Sequence, residues 1–565
     1  MSSLTKAIRN KRFNVLDGSP VELVLESMAG QKHTLKLMNC SLTGLGVSSE
    51  TELPEGEGFN LDAVLPPAKL KVQDSEIYLG RLVLRTHFET DSRHYYGFNT
   101  IDGKIPMDQK LSRFFDNKNQ NGSFYDFELA PQKFSIANFI SDNNTDIDLF
   151  DRCKKFEIFN EEWMRQPKYQ YKTFRSASKG KRINLTRKRK SDRSDYLILG
   201  SNDYLGLASH PEVLKAAKDA IDLYGFGSTG SAVSTGLSDI HAELTEYIAK
   251  LFKQESALLY NSGYTANIGI ISGITGEQDL ILADILSHAS IQDGMQMAKA
   301  TSRFFKHNSP EHLEKMLNEM RVNHCGSLVI TEGVFSMDGN TPPLPDLVKV
   351  AKKYNSRVMV DEAHSFGVVG NNGMGIVDKY NLQSKVDIIM GTFSKVCGGI
   401  GGFVAGSKQL VDWLHVFSRA NVFSVSIPPS TAAAALRALQ LFKEDKSLVL
   451  NLQKNIQQFI QGLKHLGWQA PSHHESSIIP VVIGDEEKLG IMNQVMLDEG
   501  VFVVPVIYPA VSKTRCRFRF TMMSTLTETD VDYVLNVFEK AMIKANFSFA
   551  EQLESEKKLN DSRNR

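Results

Sequence analysis

SRVMVDEAHSFGVVG (356–370) and VDIIMGTFSKVCGGIGGFVAGS (386–407) decide the fold. Each opens on a short apolar, strand-like run. Each then breaks into a stretch dense in Gly, Ser and ionisable groups: Asp361-Glu362-Ala363-His364 in the first, Gly391-Thr392-Phe393-Ser394-Lys395 in the second. Upstream the same pattern recurs. ALLYN (257–261), DLILAD (279–284) and SLVITEG (327–333) are strand-like. ASIQDGMQMAKA (289–300), PEHLEKMLNEMRVN (310–323) and LPDLVKVAKKYN (344–355) are amphipathic. Ser309-Pro310 opens the second of these helices well, with Ser309 as N-cap and Pro310 at the first helical position. Strand alternating with helix from about 198 to 410 predicts a mostly parallel sheet covered by helices on both faces.

In such a sheet ligands bind at the carboxyl ends of the strands. Five strand ends offer chemistry there: Ser262-Gly263-Tyr264, His288, Glu332 through Ser336, Asp361 to His364, and Thr392 to Lys395. A carboxylate, two imidazoles, a lysine and hydroxyls beside glycines suit pyridoxal phosphate. The lysine amine can form a Schiff base with the aldehyde. A carboxylate opposite the pyridine nitrogen keeps the ring an electron sink. Hydroxyls and glycine amides can hold the phosphate dianion.

At these residues the chain, over about 165–545, resembles the α-oxoamine synthases, fold-type-I pyridoxal-phosphate enzymes that include 8-amino-7-oxononanoate synthase, 2-amino-3-ketobutyrate CoA ligase, 5-aminolevulinate synthase and serine palmitoyltransferase. SNDYLGLASHP (201–211), YGFGSTGS (224–231), YNSGYTAN (260–267), LSHASIQDG (286–294), EGVFSMDG (332–339), VDEAHSFGVVG (360–370) and KTRCRFRFTM (513–522) carry the likeness in order. The resemblance implies that Lys395 holds the cofactor and then acts as base for the α-proton. It implies that Asp361 pairs with the pyridinium nitrogen, His364 hydrogen-bonds the phenolic oxygen and His288 stacks on the ring. Ser262, Gly263, Tyr264, Thr392 and Ser394 surround the phosphate, Ser336 lies near the ring and acyl site, and Arg519 clamps the amino-acid carboxylate. Arg515 and Arg517 compete with Arg519 for that role. Ser424, in VFSVSIPPS (422–430), resembles a phosphate contact from a partner subunit, and the family is typically a homodimer. The implied reaction condenses an amino acid with an acyl thioester, normally with decarboxylation, to give an α-amino ketone. Three positions depart from the family pattern: Ala232 for Arg, Asn340 for Asp and Leu526 for His.

The first hundred or so residues read as β. VELVLES (21–27), HTLKLMN (33–39), GLGVSS (44–49), IYLGRLVLRTHFE (77–89) and HYYGFNTI (94–101) are short strands between turns. With RNKRFNV (9–15) and NCSLTGLGV (39–47), residues 9 to about 112 resemble a PilZ domain, a small β-barrel that in many bacteria binds cyclic di-GMP. Asn39, Ser41 and Gly44 match the family's [D/N]xSxxG. Arg9 and Arg12 are three apart where the family has two arginines four apart, and arginine pairs suit phosphate and guanine. DNKNQNGS (116–123) reads as a linker, IDLFDRCKKFEIFNEEWMRQ (147–166) as helical, and the basic SKGKRINLTRKRKSDRSD (178–195) as a solvated loop or hairpin.

The expected organisation is a PilZ-like β-barrel (1–112), a linker and helical lead-in (113–165), a large α/β cofactor domain (166–430), a small α+β domain (431–545) and a charged tail (546–565). The 565 residues hold 65 Lys+Arg against 65 Asp+Glu, which argues against a general nucleic-acid or polybasic membrane binder. No apolar run approaches the roughly 20 residues of a membrane helix. MSSLTKAIRNKRFNV has no apolar core of a secretory leader, and five scattered cysteines have neither disulfide-framework nor zinc spacing. The expectation is a bacterial, cytoplasmic fusion enzyme without a metal. Its rivals are an aminotransferase and a non-catalytic cyclic-di-GMP signalling or scaffold protein on a vestigial fold.

Overall fold

The computed structural model describes residues 13–14, 21–26, 32–41, 44–49, 64–72, 75–90 and 93–100, five positions between 150 and 160, and residues 174–186, 195–370, 372–469, 474–508 and 510–553. The chain divides into two compact units, Met1–Asn160 and Glu161–Arg565.

The first unit is antiparallel β. Its strands are β1 (Phe13–Asn14), β2 (Val21–Glu26), β3 (Lys32–Ser41), β4 (Gly44–Ser49), β5 (Val64–Val72), β6 (Ser75–Thr90) and β7 (Arg93–Thr100). Their order is β1-β3-β2-β5-β6-β7-β4, with a further pairing of β3 to β4. Leu23 and Leu35 face each other across β2 and β3 and are buried. β5 was not among the expected strands. Its Pro66 and Pro67 argue against a strand interior, and the register slips between Leu65 and Pro67, where a bulge accommodates them. Arg9, Arg12 and the linker at 116–123 lie outside the described residues. Of 147–166 only Phe150, Cys153, Phe156, Glu157 and Asn160 are described, and all five are helical.

The second unit is built on a seven-stranded sheet of order β11-β17-β16-β15-β14-β12-β13. Its members are β11 (Ser256–Tyr260), β12 (Asp279–Asp284), β13 (Thr301–Phe305), β14 (Gly326–Glu332), β15 (Arg357–Asp361), β16 (Ile388–Thr392) and β17 (Gly402–Gly406). β12 to β16 are mutually parallel. β17 runs antiparallel to both its neighbours, which leaves β11 parallel to the rest. β14, β15 and β16 are buried at nearly every position, as strands covered on both faces must be.

Amphipathic helices supply that cover. In α6 (Leu344–Lys353), Leu344, Leu347, Val348 and Ala351 form the buried stripe, one face of a 3.6-residue repeat. In α5 (Pro310–Met320), the Ser309 hydroxyl accepts the His312 N–H and Leu313 and Leu317 point inward. The other long helices are α1 (Pro211–Tyr224), α2 (Asp239–Leu251), α3 (Gly263–Ile274), α4 (Ala289–Met297), α7 (Lys408–Phe417), α8 (Pro429–Glu444), α9 (Ser447–His465), α10 (Glu486–Asp498) and α11 (Glu528–Lys544).

Two smaller sheets complete the unit. Residues 174–186, which include the start of the basic stretch, form a hairpin of β8 (Phe174–Lys179) and β9 (Arg182–Thr186), and β9 pairs with β10 (Asp195–Ile198), which pairs in turn with β19 (Val501–Phe502); residues 187–194 lie outside the described residues. β18 (Ile478–Val482), β21 (Arg517–Thr521) and β20 (Val504–Val506) form the last sheet.

The parallel strands bring Tyr260, Asp284, Glu332, Asp361 and Thr392 to one edge. Glu332 lies opposite Asp361, and Gly402 lies opposite both Thr392 and Tyr260. Gly402 also lets the start of α3 approach this edge: a Cβ there would sit 2.6 Å from the Ser262 carbonyl oxygen and 2.8 Å from the Gly263 nitrogen. Backbone on both sides cannot yield. Gly402→Ala is therefore expected to lower unfolding free energy by roughly 1–3 kcal/mol in urea melts. Gly399→Ala, where a Cβ meets nothing within 4 Å, is the control and should be near neutral.

Candidate active site

The sheet edge gathers the ionisable groups. Asp361 ends β15, is only 5% exposed, and accepts the Asn267 Nδ2–H at 2.8 Å and the Ala363 N–H at 2.9 Å. Asn267 stands one turn into α3 and also donates to Ser290 Oγ at 2.9 Å. Lys395 follows β16 and is half-buried. Burial lowers its pKa, Asp361 and Glu332 pull it back up, and Arg519 lowers it further. Asp361, Glu332 and Arg519 therefore each stand within electrostatic reach of Lys395. Among the described residues the Lys395 amine makes no hydrogen bond or ion pair, while its backbone carbonyl accepts the Gly398 N–H at 3.2 Å.

Two histidines are held as neutral rings of fixed orientation. His288 caps α4, its Nδ1 taking the Ser290 N–H at 3.2 Å and meeting Ser290 Oγ at 2.8 Å. Its pKa is lowered by burial. With Nδ1 accepting from the backbone, Nε2 carries the hydrogen. His364 Nδ1 lies 2.5 Å from the Tyr204 hydroxyl. Burial, followed by Lys395 and Arg519, pushes the His364 pKa well below its usual value. Burial raises Tyr204 to about 12, so the phenol keeps its proton and donates it to Nδ1. Nε2 of His364 is thereby left protonated as well. The loop carrying His364 is pinned by Glu362, fully buried, whose carboxylate accepts from Ser365 Oγ, Ile376 N (3.0 Å) and Val377 N (2.8 Å). Burial raises Glu362 to about 7.

A second group of polar atoms surrounds the start of α3. Ser262 caps the helix, accepting the Thr265 N–H at 3.1 Å. A Cβ on Gly263 would come within 2.9 Å of Thr392 Cβ, so the first turn of the helix packs directly against Thr392. Thr392 Oγ1 lies 2.8 Å from Ser394 Oγ. Tyr264 is partly exposed, bonds Asp293 through its hydroxyl and meets the His288 ring edge-on at 6.1 Å.

Arg519 enters from β21. It is 7% exposed, and its Nε donates to the Ser336 carbonyl at 2.7 Å. Its Nη1 lies 3.3 Å from both Asn202 Oδ1 and Thr521 Oγ1. Every one of these acceptors is neutral. Arg517, two residues earlier, instead pairs with Asp338 at 2.8 Å and donates to the Met337 carbonyl at 2.9 Å. Arg515 is exposed. The geometry thus separates three arginines that the sequence left in competition.

Ser336 contributes a carbonyl rather than a hydroxyl contact. Ser424 stands apart, lining a cavity of 190 Å³ with His241, Tyr260 and Ala232. Asn39 and Ser41 lie on β3 and Gly44 on β4, where Ser41 pairs with Gly44; their side chains are outside the described residues. Sequence alone gave no role to Tyr204, Asn267, Asn202 or Glu362. Only membership of the SNDYLGL and YNSGYTAN blocks pointed to the first three.

Pyridoxal phosphate fits this donor set. A lysine amine without a partner, a buried carboxylate within its electrostatic reach and a buried Asn267 Oδ1 with no hydrogen bond leave polar capacity unused at one spot. The hydroxyl and amide cluster at α3 suits a phosphate. Among the described residues no group of three His, Cys, Asp or Glu side chains converges as metal ligands do.

Glu332 is the site's internal strain. It is 3% exposed, its Oε1 accepts the His288 N–H, and burial together with neighbouring Asp361 raises its pKa well above 4.5. A raised carboxyl stabilises the fold below its unfolded value and loses that contribution as pH climbs through the folded one. Glu332→Gln keeps a neutral acceptor. Its Tm should match the parent under acid conditions near pH 4.5 and exceed it increasingly toward alkaline pH. A Tm difference that stays constant with pH would show Glu332 to be ionised in the folded chain.

Residues 194–538 match the family described as aminotransferase class I and II. Over 349 residues the chain is 39% identical to 8-amino-7-oxononanoate synthase of Thermoanaerobacter pseudethanolicus, spanning 62% of this chain and 88% of that protein. Among solved structures, a serine palmitoyltransferase with PLP superposes with a TM-score of 0.67 at 30% identity, covering 71% of this chain and all of that one. The Sphingomonas wittichii serine palmitoyltransferase gives the same TM-score and identity over 71% of this chain and 99% of its own. With the matched region running through Lys395, Asp361 and both histidines, the chain belongs to the aminotransferase class I and II family of pyridoxal-phosphate enzymes.

Proposed function

We propose that this chain joins the α-carbon of an amino acid to the acyl carbon of a thioester, carried by CoA or acyl carrier protein, with loss of the carboxylate as carbon dioxide, to give an α-amino ketone. The observation that carries the substrate side is Arg519: a cation 7% exposed whose hydrogen-bond acceptors are all neutral, within electrostatic reach of Lys395. A buried charge without a counter-ion is costly, and an incoming carboxylate supplies one in the fork geometry a guanidinium favours. The similarity to enzymes named 8-amino-7-oxononanoate synthase and serine palmitoyltransferase supports the acyl-transfer side.

Pyridoxal phosphate, when bound, supplies an aldehyde carbon for amines and a protonated ring that draws electrons from the amino acid's α-carbon. Lys395 would hold it. Asp361 would face the ring nitrogen, His288 the ring face, and His364 would offer its Nε2–H to the phenolic oxygen. Ser262, Gly263, Tyr264, Thr392 and Ser394 would hold the phosphate, with Ser336 beside the ring. The lowered pKa of Lys395 favours the neutral amine, which takes the α-proton and later returns it. Arg519 orients the carboxylate until its carbon leaves as carbon dioxide. As the new carbon–carbon bond forms, the acyl–sulfur bond breaks and the thiolate takes up a proton.

The working unit in this reading is a cytoplasmic homodimer in which Ser424 reaches the partner's phosphate. Support comes from a cavity of 670 Å³ rimmed by Phe226, Ile400 and Val425, which are 90%, 57% and 49% exposed. A large apolar patch of this kind asks for a cover. We infer a large cofactor domain over 166–430 and a small domain over 431–545. For residues 1–112 we infer a PilZ-like barrel. The pairings β3–β2, β2–β5, β5–β6, β6–β7, β7–β4 and β4–β3 follow one another in a ring, which supports it. Arg9, Arg12, Asn39, Ser41 and Gly44 would take the phosphates and guanines of cyclic di-GMP.

Full-length protein loaded with pyridoxal phosphate and given glycine, alanine or serine with an acyl-CoA should release carbon dioxide, free CoA and an amino ketone, detected by mass spectrometry. Lys395→Ala should abolish all three. Arg519→Ala should raise the amino-acid KM by roughly 30-fold or more, as loss of half a buried charge pair does. A keto acid appearing instead, without free CoA, would make the enzyme an aminotransferase.

Cyclic di-GMP, titrated calorimetrically, should bind the full chain and not Arg12→Ala, and should change the condensation rate only in the former. Binding without any change in rate would separate the N-terminal unit from regulation.

A further inference from the structure

The turn from Phe335 to Asn340 joins the site to side chains that have no part in its chemistry. Two hydrogen bonds close it: Phe335 N–H to the Asn340 carbonyl at 3.0 Å and Gly339 N–H to the Phe335 carbonyl at 2.8 Å. On one side it meets β21, through Ser336 to Arg519 and through Met337 and Asp338 to Arg517. On the other side it meets His307. The imidazole lies edge-on to the Phe335 ring at 4.5 Å, and its Nε2 is 2.7 Å from Asn340 Nδ2.

His307 is itself fixed. Its Nδ1 lies 2.9 Å from Asp284 Oδ1, and Asp284 is fully buried at the end of β12. The same carboxylate accepts Leu286 N–H and Asn308 N–H, each at 2.9 Å. The hydrogen bonds therefore run one way: Asn340 donates to His307 Nε2, and His307 Nδ1–H donates to Asp284. An imidazole with this polarity holds a single tautomer and a single orientation. Both contacts it makes with the turn, ring and nitrogen, then become rigid.

We propose that His307, oriented by Asp284 and bonded to Asn340, is a positioning residue for the carboxylate-binding arginine: it sets the turn 335–340 so that the Ser336 carbonyl holds Arg519. Arg519 then presents to the amino acid its Nη2, the nitrogen not committed to Ser336, Asn202 or Thr521. The inference rests on the carboxylate role given to Arg519 above. A bidentate pair tolerates little rotation of the fork, so loss of the Ser336 hold should appear in amino-acid affinity before anything else.

The test uses the full chain loaded with pyridoxal phosphate. Apparent Kd for glycine, L-alanine and L-serine is read from the change each makes in visible absorbance, and KM for an acyl-CoA is measured beside it. His307→Phe keeps a ring against Phe335 but loses both polar links. It should weaken amino-acid binding by about tenfold or more while leaving the acyl-CoA KM within about twofold. His307→Gln, which can donate to Asp284 and accept from Asn340, should recover most of the loss. Asn340→Ala, the milder change, should show the same selective effect and serves where His307→Phe does not fold. In an Arg519→Ala background His307→Phe should add little, because the two act through one interaction.

Equal weakening for both substrates, or a fall in Tm with Kd unchanged, would overturn the positioning role. If Arg519→Ala itself leaves amino-acid binding intact, or the parent binds none of the three, the carboxylate reading fails instead. The two failures are thus distinct.

Discussion

Two carboxylates occupy adjacent positions across β14 and β15 at a dry sheet edge, and their surroundings treat them differently. Glu332 and Asp361 are register partners. Both are almost fully buried. A like charge this close in low dielectric raises the pKa of Glu332 beyond what burial already does. Their surroundings break the tie. Asp361 receives the Asn267 amide and a backbone N–H, whereas Glu332 receives one backbone N–H and feels Asp361 as a like charge. Burial and the neighbouring carboxylate both favour the protonated form of Glu332. Environments that push apart the affinities of paired groups are how a site assigns acid and base roles.

Arg519 is the cation of the site: it stands within electrostatic reach of Lys395 and His364, and its side chain meets only neutral acceptors. Burial penalises the charged form of both histidines and lowers their pKa values. Arg517 differs, because Asp338 cancels its charge. The result is a recess in which Arg519 keeps its charge unpaired and can accept the carboxylate that the proposed reaction brings in.

Much of this was legible in the sequence because the informative residues sit where topology exposes them. Strands covered on both faces announce themselves as apolar runs, and the residues just beyond each run then lie at the ligand-binding edge. Lys395, Asp361, His364 and His288 were found that way. The direction of β17 was not, since GFVAG reads alike in either sense and only its pairing with β11 and β16 shows it to be antiparallel. Tyr204 and His364 are 160 residues apart, Asn267 and Asp361 94 apart. No local pattern reports such partners. The hidden strand β5 failed for another reason: two prolines suppress its signal, and a bulge that only tertiary pairing can justify absorbs them.

Arginine alternation on β21 shows the same division between what pattern supplies and what contact supplies. Alternation places Arg517 and Arg519 on one face of the strand, and on pattern alone they are equivalent. The turn 335–340 makes them different. It offers Arg517 a carboxylate and Arg519 only a carbonyl, so one guanidinium becomes a clamp on the turn and the other keeps an unmet demand for charge. The large sheet, which carries the turn, and the small sheet, which carries the arginines, are joined through the residue pair that also separates structure from chemistry. A displacement of one sheet against the other would reach the carboxylate site directly, through the Ser336 carbonyl. The hold of the turn after β14 on β21 is therefore as much a part of the site as the lysine itself.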